Sequence, residues 1–208
     1  MNIKNVIFDF GQVLVHFEPE YMVRQFVTDK EDVKLLSEVL FDRLYWDRLD
    51  LGTITDEETI ASCCERLPQR LWQATEKIYW NWIYNIPEIE GMKDLIKYIK
   101  DRYGVGVFVL SNISHYFADH LDEIDILKYS DGSVFSARLG ITKPDHRIFD
   151  HICKKYSLNP AETLFVDDSE KNINASRAFG LQGYLFDGDV EKLRKYIDGA
   201  LGGENDEK

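Results

Sequence analysis

The chain has 208 residues, 44% hydrophobic and 30% charged, which suits one large domain or one domain with an insertion. Its 25 Lys plus Arg stand against 37 Asp plus Glu, and the net charge of −12 argues against nucleic-acid and anionic-membrane partners, which need basic faces. No apolar stretch approaches the ~18 residues of a transmembrane helix.

The N-terminus MNIKNVIFDF does not read as a signal peptide, because its short apolar run is broken by Asp9. The cysteines Cys63, Cys64 and Cys153 are odd in number and lack CxxC spacing, which points to a reducing, cytoplasmic setting. The histidines show no zinc-ligand spacing.

The first element is Val6 to Val15, VIFDFGQVLV, an apolar run of the length of a strand buried on both faces. An unpaired charge inside such a strand is costly, so Asp9 is expected at its end, facing a ligand, with Gly11 opening a loop. From about Glu18 to Pro87 the pattern is helical. Leu35, Leu36, Val39 and Leu40 recur at helical spacing after Asp29. Thr55 and Glu58 form a capping box ahead of Ile60. Trp72, Ile78, Tyr79, Trp82 and Ile83 are expected on one further helix, packed in the core.

Strands and helices then alternate. Val105 to Leu110, Ser133 to Ser136, Thr163 to Val166 and Gln182 to Phe186 read as strands. Helices are expected at about Met92 to Arg102, His115 to Leu121, His146 to Tyr156, Glu170 to Phe179 and Val190 to Ala200. This alternation predicts an α/β fold with a doubly wound parallel sheet. Ligands of such sheets sit at the carboxyl ends of the strands, where Asp9, Ser111 and Asp167-Asp168 all fall.

Four ordered segments carry a resemblance: Asp9 in FDFGQVLV, Ser111 in VLSN, Lys143 in TKPD and Asp167-Asp168 in FVDDSEKNINAS. Together they resemble the haloacid dehalogenase superfamily, in the subgroup with a helical cap after the first strand. The resemblance spans nearly the whole chain. It implies a Rossmann-like core formed by 1–16 and 88–200, a small helical cap at 17–87, and a flexible tail at 201–208. The family's substrate-specificity loop is similar to Leu49 to Thr55, and Trp46, Arg48, Leu49 and Asp50 are then candidates to face the substrate. A plain helix–helix connection accounts for that stretch equally well.

The chemistry expected of such a chain is phosphoryl transfer. Asp9 would attack phosphorus and form an aspartyl phosphate. Asp9, Asp168 and the backbone carbonyl of Gly11 would give Mg²⁺ hard oxygen ligands, with Asp167 bound through water or orienting Lys143. Ser111 and the Asn112 backbone N–H would hold the phosphoryl oxygens, and family members use the Lys143 equivalent to hold nucleophile and phosphate. Asn172 is placed to tie the metal loop down. Each residue has a plainer rival reading: Asp9 as a strand cap, Ser111 as a helix N-cap, Lys143 as a loop cation, Asp167-Asp168 as a solvated turn. The last is weakened because adjacent acids repel unless a cation is near.

One position departs from the pattern. Phosphatases of this superfamily usually carry a second Asp two residues after the nucleophile, as general acid and base; here Gly11 occupies it. Three readings stay open. A surrogate acid exists, with His16 or Glu18 as candidates. Or the substrate has a good leaving group, as in a sugar 1-phosphate. Or the chain is a phosphometabolite-binding pseudoenzyme. A metal-independent 2-haloacid dehalogenase also lacks the second Asp, but typically lacks the paired acids too. A small phosphorylated metabolite, with sugar phosphates favoured, is the expected partner of a monomer or weak homodimer.

Overall fold

The computed structural model describes residues 3–201, so the expected tail lies outside the described residues beyond Leu201. In chain order the principal elements are β1 (Asn5–Phe8), α1 (Pro19–Arg24), α2 (Lys30–Leu40), α3 (Arg43–Asp50), α4 (Asp56–Arg66), α5 (Trp72–Tyr79) and α6 (Met92–Tyr103). They continue with β2 (Gly106–Ser111), α7 (His115–Asp119), β3 (Gly132–Phe135), α8 (His146–Tyr156), β4 (Thr163–Asp167), α9 (Glu170–Phe179), β5 (Gln182–Leu185) and α10 (Val190–Leu201).

The strands form one parallel sheet in the order β3-β2-β1-β4-β5. The chain winds outward from β1 to one edge and then returns to the other side, so the switch of direction falls beside β1. Strand periodicity splits the apolar side chains between two layers. Val6, Phe8, Val107, Val109, Leu164 and Val166 face the layer that includes α6 and α10. Ile7, Phe108, Leu110 and Phe165 face α8 and α9, against Ile148, Phe149, Ile152 and Ile173.

The apolar run Val6 to Val15 is not one strand. β1 stops at Phe8, and the chain turns at Gly11 and Gln12, whose φ is 58°. Gln12 N–H donates to the Val15 carbonyl at 2.8 Å, and Leu14 N–H to the Phe10 carbonyl at 2.8 Å. Val13, Leu14 and Val15 are buried by this turn rather than by a ladder. The chain then leaves the sheet layer and returns alongside itself, with His16 N–H on the Pro87 carbonyl at 2.8 Å and Ile89 N–H on the Leu14 carbonyl at 3.0 Å.

Between these two passages lie α1 to α5, with a core of their own built on Val23, Val33, Leu36, Leu40, Cys63 and Ile78. The helix expected to carry Trp72 through Ile83 breaks: α5 ends at Tyr79, and Trp82 and Ile83 sit in a following 3₁₀ turn. Ile78, Tyr79, Trp82 and Ile83 are buried, but Trp72 is 44% exposed, its indole N–H bonded to the Cys64 and Leu67 carbonyls. The three cysteines are unpaired. No helix among the described residues is long and apolar enough to cross a membrane.

Local rules account for the helix starts. Asp29 and Asp42 cap α2 and α3. Thr55 and Glu58 form the reciprocal capping box of α4, with Glu58 N–H on Thr55 Oγ1 at 3.1 Å and Thr55 N–H on Glu58 Oε2 at 2.9 Å. Thr55→Ala removes one of the two bonds and is expected to cost about 1 kcal/mol, read as a shifted midpoint in urea with an unchanged slope.

Candidate active site

Asp9 lies one residue beyond β1, its N–H bonded to the Val166 carbonyl of β4 at 2.9 Å. Its carboxylate Oδ1 accepts from Phe10 N–H at 2.6 Å and from Lys143 Nζ at 2.7 Å. Lys143 reaches it from the segment between β3 and α8, and its ammonium also bonds Asp167 Oδ2 at 2.8 Å. Asn112, just after β2, clamps the Lys143 backbone, accepting its N–H at 2.7 Å and donating to its carbonyl at 3.1 Å. Two strand ends thus converge on one ammonium, and a third holds the backbone that carries it.

Asp167 is fully buried at the end of β4, and its carboxylate also accepts Ser169 N–H at 2.8 Å and Asn172 Nδ2 at 3.0 and 3.1 Å. Asp168, the next residue, is exposed. Carboxylate oxygens of Asp9, Asp167 and Asp168 lie within 4.8 Å of one another. Three acids against one lysine leave an excess of negative charge on hard oxygen donors, which suits a small divalent cation.

The electrostatics follow from this crowding. Burial pushes the Asp9 carboxyl up to about 7; Lys143 opposes the rise and Asp167 adds to it. Burial alone would depress the Lys143 ammonium, but Asp9 and Asp167 outweigh it and its pKa rises. Asp168 is raised by burial and by the neighbouring charge of Asp167.

Of these groups, Asp9 and Lys143 line a cleft of about 430 Å³ between the sheet's carboxyl end and the helical insert. Ser111 and Asn112 form part of its floor, and Ser111 Oγ makes only a 3.5 Å contact with the Asn112 carbonyl. The N-cap of α7 is Ser114, not Ser111, which ends β2. Gly11 lines the cleft, and a Cβ there would meet nothing within 4 Å.

From the insert, α3 presents Arg43, Trp46 and Asp50 to the cleft. Spacings of three, four and seven residues put them on one helical face. Arg48 falls on the opposite face, is exposed and does not line the cleft, so the structure does not bring this candidate to the site. Leu49 is buried in the core of the insert instead. Phe17 and Trp82 complete an aromatic wall with Trp46, with centroid separations of 5.4 Å (Phe17–Trp46) and 5.1 Å (Trp46–Trp82). Arg43 was legible as the residue one turn before Trp46; Phe17 and Trp82 carry no local signal. Neither His16 nor Glu18 lines the cleft; Phe17, between them, does.

A parallel sheet with acids and a buried lysine gathered beyond its central strand defines a hydrolase of the Rossmann-like α/β class. The chain belongs to the haloacid dehalogenase-like hydrolase family, whose model matches residues 3–180. It is 26% identical over 190 residues to a D-ribitol-5-phosphate phosphatase of Bacteroides thetaiotaomicron, covering 88% of this chain and 91% of the relative. It is 27% identical over 188 residues to a sesquiterpene phosphatase of Aspergillus oryzae, covering 86% and 88%. Among solved structures, a family enzyme of Bacteroides thetaiotaomicron in complex with magnesium and inorganic phosphate superposes with a TM-score of 0.67 at 19% identity, covering 92% of this chain and 98% of that one.

Lys143→Met should lower stability by about 3–5 kcal/mol near pH 8, because it strands two buried carboxylates. Stranded carboxylates hold protons more tightly folded than unfolded, so the variant's stability falls as pH rises. Urea melts at pH 5.5 and 8 check this: the deficit should be smaller at pH 5.5.

Proposed function

We propose that this hydrolase is a Mg²⁺-dependent phosphomonoesterase for a small phosphorylated metabolite. The observation that carries the reading is the cluster of Asp9, Asp167 and Asp168, with Lys143 bridging the first two, beside a cleft that Asp9 and Lys143 line. Asp9 is the nucleophile. One of its oxygens attacks phosphorus, the bond to the leaving oxygen breaks, and an aspartyl phosphate forms, which water then hydrolyses. Lys143 holds Asp9 in place and faces the phosphoryl group. Ser111 Oγ–H and the Asn112 N–H donate to phosphoryl oxygens. Asp9, Asp168 and the Gly11 carbonyl hold Mg²⁺, with Asp167 in support through its grip on Lys143. Bound there, the ion supplies positive charge that offsets repulsion between the carboxylate and the phosphoryl oxygens.

The insert at 17–87 acts as a cap, excluding water from the core formed by 1–16 and 88–200. The cleft volume suits a metabolite rather than a folded protein. A sugar or polyol phosphate is the favoured substrate, supported by the phosphatase names of both relatives and by the polyol phosphate named for one of them. The unpaired cysteines fit a cytoplasmic setting. A 2-haloacid dehalogenase reading gives Asp168 no role, since attack on carbon needs no metal.

A panel of sugar, polyol and small-acid phosphates should be hydrolysed with Mg²⁺, not with EDTA, and not by Asp9→Asn. EDTA-insensitive turnover would overturn the metal assignment, and halide release from 2-haloacids without metal would replace the phosphatase reading. In a thermal melt without substrate, Mg²⁺ at about 100 times its Kd should stabilise the protein by about 2.7 kcal/mol. Asp168→Asn should abolish that gain without unfolding the chain, because Asp168 is exposed.

A further inference from the structure

Asp50 is the buried acid of the cleft to which the proposed phosphatase chemistry gives no role. It ends α3 and is only 7% exposed. Its Oδ1 is buried and has no hydrogen-bond partner. An orphaned buried carboxylate is costly unless it is protonated or a ligand completes it.

Its position is imposed by its backbone. Ser136 Oγ, from the segment after β3, donates to the Asp50 carbonyl at 2.6 Å and accepts Ile113 N–H at 3.0 Å. Two residues on, the chain presses against the sheet layer so closely that a Cβ at Gly52 would lie 2.7 Å from His115 Nε2 and 2.8 Å from the Ala137 carbonyl. The main chain of this turn is therefore docked on the catalytic layer while the Asp50 carboxyl is left free at the cleft. Burial pushes that carboxyl up to about 7. Arg43 opposes the rise, Asp47 adds to it, and Lys143 and Asp9 across the cleft act in opposite senses.

Gly11, meanwhile, brings no acid to the cleft, and the space around its missing Cβ is open. We propose that Asp50 is the general acid and base of this site, delivered from the helical insert to the side of the cleft that the leaving group occupies. The proposal rests on the phosphatase reading. In the first half-reaction Asp9 Oδ bonds to phosphorus, the phosphorus–leaving oxygen bond breaks, and the proton on Asp50 passes to that oxygen, releasing an alcohol. In the second, Asp50 as carboxylate takes a proton from water as the water oxygen bonds to phosphorus. The bond to Asp9 breaks, phosphate leaves, and both side chains are restored.

The test uses the full chain with Mg²⁺ and a series of substituted phenyl phosphates, which carry no hydroxyl for Asp50 to bind. The readout is kcat/KM, which reports steps up to the aspartyl phosphate. Asp50→Asn should lose roughly 10²–10⁴-fold on phenyl phosphate, a poor leaving group, and far less on 4-nitrophenyl phosphate, which needs no proton. The plot against leaving-group pKa should be steeper than in the wild type. The ratio between two substrates is independent of how much enzyme is folded, and Asp50→Ser gives the same comparison if Asp50→Asn expresses poorly. Equal losses on both substrates, or a loss confined to KM for polyol phosphates, would overturn the proposal and leave the phosphatase intact. A wild type that hydrolyses neither the aryl phosphates nor any of the sugar, polyol and small-acid phosphates would overturn the phosphatase reading itself.

Discussion

The Lys143 ammonium, buried between Asp9 and Asp167, is the interaction on which the rest of the site depends. Two carboxylates inside a protein repel each other and lose their hydration. One cation shared at 2.7 and 2.8 Å answers both penalties. The sharing requires Lys143 to arrive at one place, and Asn112 fixes its backbone from both sides. It also requires Asp167 to stay fixed, which Ser169 and Asn172 secure. Asp168 is left exposed beside this group, with no such partner among the described residues, and it is therefore the acid most open to an incoming cation.

The sheet order explains why these residues meet. β1 lies between β2 and β4, so the residues just past Phe8 and the last residues of β2 and β4 are neighbours across the ladder. Residues far apart in the chain become adjacent because parallel strands put their carboxyl ends on one edge. The insert adds a second surface to the same place. α3 shows Arg43, Trp46 and Asp50 to the cleft, and its end is pinned to the sheet layer through Ser136. One helix packed across the end of one sheet thus forms the wall of the cleft opposite Asp9 and Lys143.

The features legible without coordinates are those written in local patterns. Apolar runs ending in Asp, Ser or Asp-Asp mark strand ends, and the capping box at Thr55 and Glu58 marks a helix start. Sequence and structure part where an apolar run has a tertiary rather than a local cause. Val13 to Val15 continue the apolar run past the strand's expected end at Asp9, and they are buried by a turn that folds back on Phe10. The aromatic character of Trp72 points to the core, yet its indole caps the Cys64 and Leu67 carbonyls at the surface. Nearness in sequence groups Arg48 with Trp46 and Asp50, but two residues along a helix turn a side chain to the other face.

The sequence by itself determined the alternation of strands and helices, the acids at the strand ends, the helical character of the insert and the absence of a carboxylate at Gly11. These are matters of residue type and short-range periodicity, which the chain carries locally. Only the tertiary structure decided that Lys143 bridges Asp9 and Asp167, that Arg43 rather than Arg48 reaches the cleft, that His16 and Glu18 do not, and that Asp50 is left buried with an unbonded oxygen. Those outcomes depend on how the insert packs across the sheet. That packing is set by contacts between residues tens of positions apart, such as Ser136 with Asp50, and no local pattern encodes it.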